Sequence, residues 1–259
     1  MTTPRNYQTE AIVIKKTKLG EADSILTFYT PRLGKIQGFA KSLRKTKSKM
    51  AGHLELLTHS QVSFARGKNL DTITGSQTIN SFLPLKSDLD LTSYALYVIE
   101  LVNQFTAEHI ENYPLFKLLL DTLDQLCRES DREITLRYFE LNLLDKVGYR
   151  PHLQNCVHCK SALEPVTNYF SPSAGGVLCP DCGYSQLSTY SLSVNALKVL
   201  RLFQGSDYDT VSRLKVTPEL SRELELIMRN YLRYLLEREV KSTAWLDTLK
   251  SESGGENAA

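Results

Sequence analysis

The chain has 259 residues, 42% hydrophobic and 23% charged, with a formal net charge of +2. These are ordinary values for a globular chain able to build a core. No apolar run approaches the roughly 20 residues a bilayer-spanning helix needs, and the first 30 residues carry seven charged side chains from Arg5 to Asp23 where a secretory leader would be apolar. A cytoplasmic location is therefore expected, and there clustered cysteines read as metal ligands before disulfides.

The first 80 residues read as β. Tyr7–Lys18 is rich in β-branched residues, Ser24–Thr30 is a second strand, and Pro31-Arg32-Leu33-Gly34 turns the chain into a third at Lys35–Ala40. Gln61–Ala65 and Leu70–Thr78 are two more, parted by Arg66-Gly67-Lys68-Asn69. Five short strands of this size predict a small closed barrel, either an OB-fold or an SH3-like barrel. After Leu83-Pro84 the period becomes helical. Leu91–Thr106, Tyr113–Arg128 and Glu133–Val147 carry apolar residues at helical spacing, and Pro151 ends the run. Residues 151–190 hold cysteines, glycines and prolines with no helical period. Helices resume at Val194–Phe203, and a last one starts at Thr217-Pro218, a capping residue followed by proline. Its stripe of Leu220, Leu224, Ile227, Tyr231 and Leu235 reads as core.

Cys156, Cys159, Cys179 and Cys182 form two C-x2-C pairs 19 residues apart. That spacing matches a tetrahedral zinc site, because each two-residue spacer lets one tight turn present two thiolates. Gly183 follows the second pair, where a left-handed backbone is expected; the first pair is followed by Lys160. His158 competes as a ligand in composition but is expected to point away. Four protein ligands leave no open position, so the one Zn2+ is expected to be structural. Cys127 reads as a lone apolar residue.

Charge is lopsided. Residues 1–70 hold 13 Lys/Arg and 4 Asp/Glu, a balance of +9, while residues 71–259 hold 18 and 25, a balance of −7. Lys35, Lys41, Arg44, Lys45, Lys47 and Lys49 are the candidate phosphate contacts, with Lys15, Lys16 and Lys18 at the end of strand one. Phe28, Tyr29 and Phe39 interleave with them, as base-stacking platforms or as barrel core. No G-x4-G-K-[ST], G-x-S-x-G or H-E-x-x-H motif occurs. Catalysis is not expected. The alternatives are a metal-dependent nuclease using Glu21 and Asp23, and a protein–protein adaptor with incidental DNA binding.

The segments Thr9–Lys15, Leu19–Leu26, Gly34-Lys35, Ala40–Lys45 and Leu70–Ile73 resemble the bacterial RecO family of DNA repair and recombination mediators. The helical region with its embedded cysteine pairs extends the resemblance to nearly the whole chain. Ser42 stands where the family pattern has glycine, and the balance of −7 after residue 70 is a second departure. The resemblance implies an α+β multidomain chain: an OB-fold at 1–80, an α-helical domain at 81–150 and 191–250 and a zinc module at 151–190, while the polar, small-residue composition of 251–259 reads as a disordered tail. It implies binding of single- and double-stranded DNA and annealing of complementary strands. It also implies work with RecR, and sometimes RecF, in loading RecA onto strands coated by single-stranded DNA-binding protein (SSB), in association with the nucleoid.

Overall fold

The computed structural model describes residues 5–128, 131–244 and 246–248. The tail expected at 251–259 lies outside them. The chain divides into two compact units, residues 1–128 with 242–259, and residues 129–241.

Unit 1 is built on a barrel. β1 (Asn6–Leu19), β2 (Asp23–Thr30) and β3 (Gly34–Ala40) form an antiparallel meander. β4 (His59–Ala65) and β5 (Asp71–Asn80) pair antiparallel, β5 lies parallel to β3, and β4 returns to β1, closing the order β1-β2-β3-β5-β4. This is an OB-fold, and the SH3-like alternative falls away. β1 serves two neighbours in sequence. Residues 6–12 face β4 and residues 12–19 face β2. A bulge between Val13 and Lys15 bends it, and burial gives way there from Ala11–Ile14 to an exposed Lys15–Leu19. Val13, Leu26, Phe28, Ile36, Val62, Phe64 and Ile73 fill the interior, sealed by Leu43 and Leu54 from the β3–β4 connection. Phe28 meets Phe64 edge to face at 5.6 Å, a pairing worth about 1 kcal/mol beyond its buried area.

α1 (Leu83–Ser87), α2 (Leu89–Phe105) and α3 (Tyr113–Arg128) follow the barrel, α2 packing on β1 and α3 on β2. Asp88 caps α2 by accepting the Leu91 N–H at 3.0 Å. Gly34 has φ +61, and a side chain there would meet the Ile110 carbonyl oxygen at 2.0 Å, so the β2–β3 turn admits only glycine against this linker. Chain continuing past the second unit returns to unit 1, where the amide and hydroxyl of Ser242 both donate to the Glu100 carboxylate, at 2.8 and 2.6 Å.

Unit 2 starts with α4 (Arg132–Lys146), capped by Asp131. The cysteine segment that follows is not featureless. It holds β6 (Asn168–Ser171), β7 (Gly176–Leu178), α5 (Pro180–Tyr184) and β8 (Tyr190–Leu192), with the strands in the order β7-β6-β8. α6 (Val194–Gly205), α7 (Tyr208–Val211) and α8 (Pro218–Leu236) complete the unit, and α4, α6 and α8 pack mutually. Leu224, Ile227 and Tyr231 of the α8 stripe are buried. Among the described residues no helix is long and apolar enough to cross a membrane.

Candidate metal centre and nucleic-acid interface

Two different local structures deliver the four thiols. Cys156 and Cys159 lie on a tight turn. The Lys160 N–H donates to the Cys156 carbonyl at 3.0 Å, and the Cys156 N–H to the Ser161 carbonyl at 2.9 Å. Cys179 is the N-cap of α5 and Cys182 lies in its first turn, with the Gly183 N–H donating to the Cys179 carbonyl at 2.8 Å. The four Sγ atoms lie within 4.8 Å of one another, and Cys159 Sγ is 3.8 Å from Cys179 Sγ. A tetrahedral ion with metal–sulfur bonds of about 2.3 Å has sulfurs about 3.8 Å apart, so the geometry suits one metal ion. His158 is exposed and outside the cluster.

The expectation for Gly183 needs correction. It is Lys160 that takes the left-handed backbone, at φ +64. Gly183 is required for a different reason: a Cβ there would lie 2.3 Å from Tyr169 Cδ2. The second turn is helical and needs no left-handed residue, whereas the first closes like a β-turn and does.

The surroundings favour thiolates on the first turn. The Ser161 hydroxyl, 3.0 Å from Cys159 Sγ, and its backbone hold the Cys159 thiol down at about 6. Burial pushes Cys156 up, but backbone N–H groups of Cys179, Cys159 and His158 bring it below its ordinary value. Cys182 is pushed up to about 12 by sharing a hydrogen bond with Cys179. Three crowded sulfurs disfavour a fourth negative charge, which a divalent cation would relieve. Ser161 was not legible in sequence; a hydroxyl two residues past a C-x2-C pair is too common to signal.

The basic residues divide. Lys41, Arg44, Lys45, Lys47 and Lys49 are all exposed on the connection from β3 to β4. Lys35 stands apart on β3. Its Nζ donates to the Asn103 carbonyl at 2.7 Å at the end of α2, and burial pushes its ammonium below the ordinary range.

The loop is pinned at its root to the β1–β2 hairpin. Asp23 Oδ1 accepts the Ser42 N–H at 2.6 Å, and the Arg44 N–H donates to the Ala22 carbonyl at 2.9 Å. Arg44 Nη1 reaches the Gly20 carbonyl at 3.1 Å. This joins the exposed Lys15, Lys16 and Lys18 of β1 to the end of the barrel that carries the loop. Ser42 sits at φ +55, which explains why glycine suits that position. Asp23 thus has a structural partner, as a turn residue would. The aromatic residues are mostly core: Phe28 and Tyr29 are fully buried and Phe39 is half-buried. Cys127 is half-buried on α3, where burial pushes its thiol up.

Comparison with known proteins completes the picture. The family model for the Recombination protein O N terminal matches residues 1–82, and that for the Recombination protein O C terminal matches residues 86–244. The chain is 50% identical to a DNA repair protein RecO of Dehalococcoides mccartyi (strain CBDB1) over 250 residues, 96% of this chain and 98% of the relative. It is 41% identical to the namesake of Roseiflexus sp. (strain RS-1), over 95% of this chain and 87% of the relative. It is 35% identical to that of Pelotomaculum thermopropionicum, over 98% of each.

Proposed function

The chain belongs to the Recombination protein O (RecO) family, and from that premise we propose that it is a non-enzymatic DNA repair and recombination mediator. In this reading it binds single- and double-stranded DNA, anneals complementary strands and, with RecR and in some settings RecF, helps load RecA onto SSB-coated single strands. The observation that carries the DNA-binding part is the row of five exposed cations on a loop anchored to an OB barrel. Annealing brings two polyanions together. A surface that neutralises phosphates lowers that repulsion and needs no bond chemistry. Because the barrel's rings are mainly spent on the core, the loop engages phosphates rather than bases.

Lys41, Arg44, Lys45, Lys47 and Lys49 are the proposed phosphate contacts. Lys35 would join them with the ammonium donors that its bond to the Asn103 carbonyl leaves. The ion proposed for Cys156, Cys159, Cys179 and Cys182 is a single structural Zn2+, which contributes a cross-link between the two turns of a segment with little core of its own.

The test is the triple variant Lys41→Glu, Arg44→Glu and Lys45→Glu, titrated with labelled single-stranded DNA across salt concentrations. Losing three contacts lowers the log–log salt slope by about 2, at roughly 0.7 per contact, and abolishes annealing at moderate salt. Unchanged affinity and slope overturn the reading.

A further inference from the structure

Unit 2 carries a cavity of about 480 Å³ beside the first cysteine turn. That is within the size range of small-ligand sites, roughly 300–1,000 Å³. Among the described residues no carboxylate lines it. Arg150 and Lys160 supply cations, Gln154, Asn155 and Gln204 supply side-chain amides, and buried Leu153 contributes to an apolar floor. Unit 2 as a whole is not basic, so this is a local concentration and not the edge of the loop's charge.

The walls are held in place by the unit's own bonds. Arg201 from α6 grips the Leu153 carbonyl with Nε at 2.9 Å and the Gln154 carbonyl with Nη2 at 3.3 Å. Gln204 Nε2 donates to the Pro151 carbonyl at 2.8 Å. Arg150 gives one nitrogen to Asp145 at 3.1 Å, but its side chain is 53% exposed and a guanidinium has five donors in all. Lys160 is exposed.

We propose that this cavity is a second nucleic-acid site, which takes one nucleotide of a single strand whose phosphates meet Arg150 and Lys160. It rests on the DNA-binding reading above and extends it to the other unit. The amides decide the class of ligand. A base offers donors and acceptors along its edge, which suit the Gln154 amide and the oxygen and second N–H that Asn155 and Gln204 keep after donating to the Lys160 and Pro151 carbonyls, and its face suits an apolar floor. An acidic peptide would use the cations and the floor but brings no ring edged with donors and acceptors. The barrel's buried rings give bases little purchase there, so base contact falls to this site.

The experiment uses the full-length, zinc-loaded chain and a labelled oligothymidylate. Arg150→Gln lies outside the cysteine turns. Lys160→Asn keeps a residue that tolerates a left-handed backbone. The double variant is expected to bind about fivefold to tenfold more weakly, with a salt slope shallower by about 1.4, from roughly 0.7 per phosphate contact. Photocross-linking with a halogenated uracil base is expected to label residues 150–160. Retained zinc content and melting temperature certify the fold, and Arg150→Gln alone serves if the double variant loses zinc. If the double variant, or Arg150→Gln in its place, keeps wild-type affinity and slope while the loop variant loses them, the cavity proposal is overturned and the loop reading stands. If the loop variant keeps its affinity and the cavity variant loses it, the loop reading falls instead. If a labelled acidic peptide binds in a way these substitutions weaken, with oligonucleotide affinity unchanged, the cavity is a peptide site and the proposal is overturned.

Discussion

At the scale of single residues, the joint between Asp23 and Ser42 sets how the basic loop leaves the barrel. Its hydrogen bond has a charged acceptor, so Asp23→Ala is expected to cost about 1.5–3 kcal/mol. Ser42→Gly removes a left-handed conformation from a residue with a Cβ and is expected to raise stability by about 1 kcal/mol or less. Urea midpoints of the two variants should move in opposite directions, and movement in the same direction counts against this account. His59 gives a pH prediction. Its side chain is buried on β4, 3.3 Å from Glu10, and burial outweighs the carboxylate to hold its pKa below the usual 6.5. The unfolded chain therefore takes up the proton first as pH falls. The stabilisation is complete above pH 6.5 and is lost progressively below it. Between pH 7.5 and 5.5 the wild type should lose more stability than His59→Gln, and equal losses would remove His59 from the explanation. The buried pair Arg137–Glu140, at 2.8 Å on α4, gave no sign in the sequence. Two charges three apart on a helix read as a solvated face, and only packing reveals them as interior.

Elements were legible in proportion to their length and period. All five barrel strands lie where β-branched residues and the turns between them predict strands, because each runs seven residues or more. The same holds for α2, α3, α4, α6 and α8. The sheet β7-β6-β8 went unread because strands of three or four residues show no measurable period, and α5 because five residues complete barely a turn. The cysteines were readable from spacing alone; which turn needed a left-handed residue was not, since that depends on whether each pair rides a turn or a helix. The loop cations were legible as a group. Lys35 was not separable from them, because its partner Asn103 lies 68 residues away. At this scale the proposed zinc link makes a prediction. Cys179→Ser should lower the melting temperature and the zinc content per chain, while the loop's contribution to the salt slope stays in place below the new transition. A variant that keeps its melting temperature and loses DNA binding would move the cysteine site from structure to function.

For the molecule as a whole, the balance of +9 in residues 1–70 against −7 afterwards concentrates the electrostatic footprint on the barrel. Five exposed loop cations contribute about −3.5 to the slope on single strands, at roughly 0.7 per contact. A slope near zero in a salt titration of the wild type would leave the basic row without a role in binding. The return of the chain to Glu100 through Ser242 has a further effect. Unit 2 is spliced into unit 1 between residues 128 and 242, so the strap that begins at Ser242 is tethered to the rest of unit 1 through the whole of unit 2. Were unit 2 to melt, the strap would hang from a slack loop of about a hundred residues, and closing such a loop costs about 4 kcal/mol by the (3/2)RT ln n rule. Loss of the proposed metal from unit 2 would thus be felt in unit 1 through connectivity alone, at the clasp on Glu100.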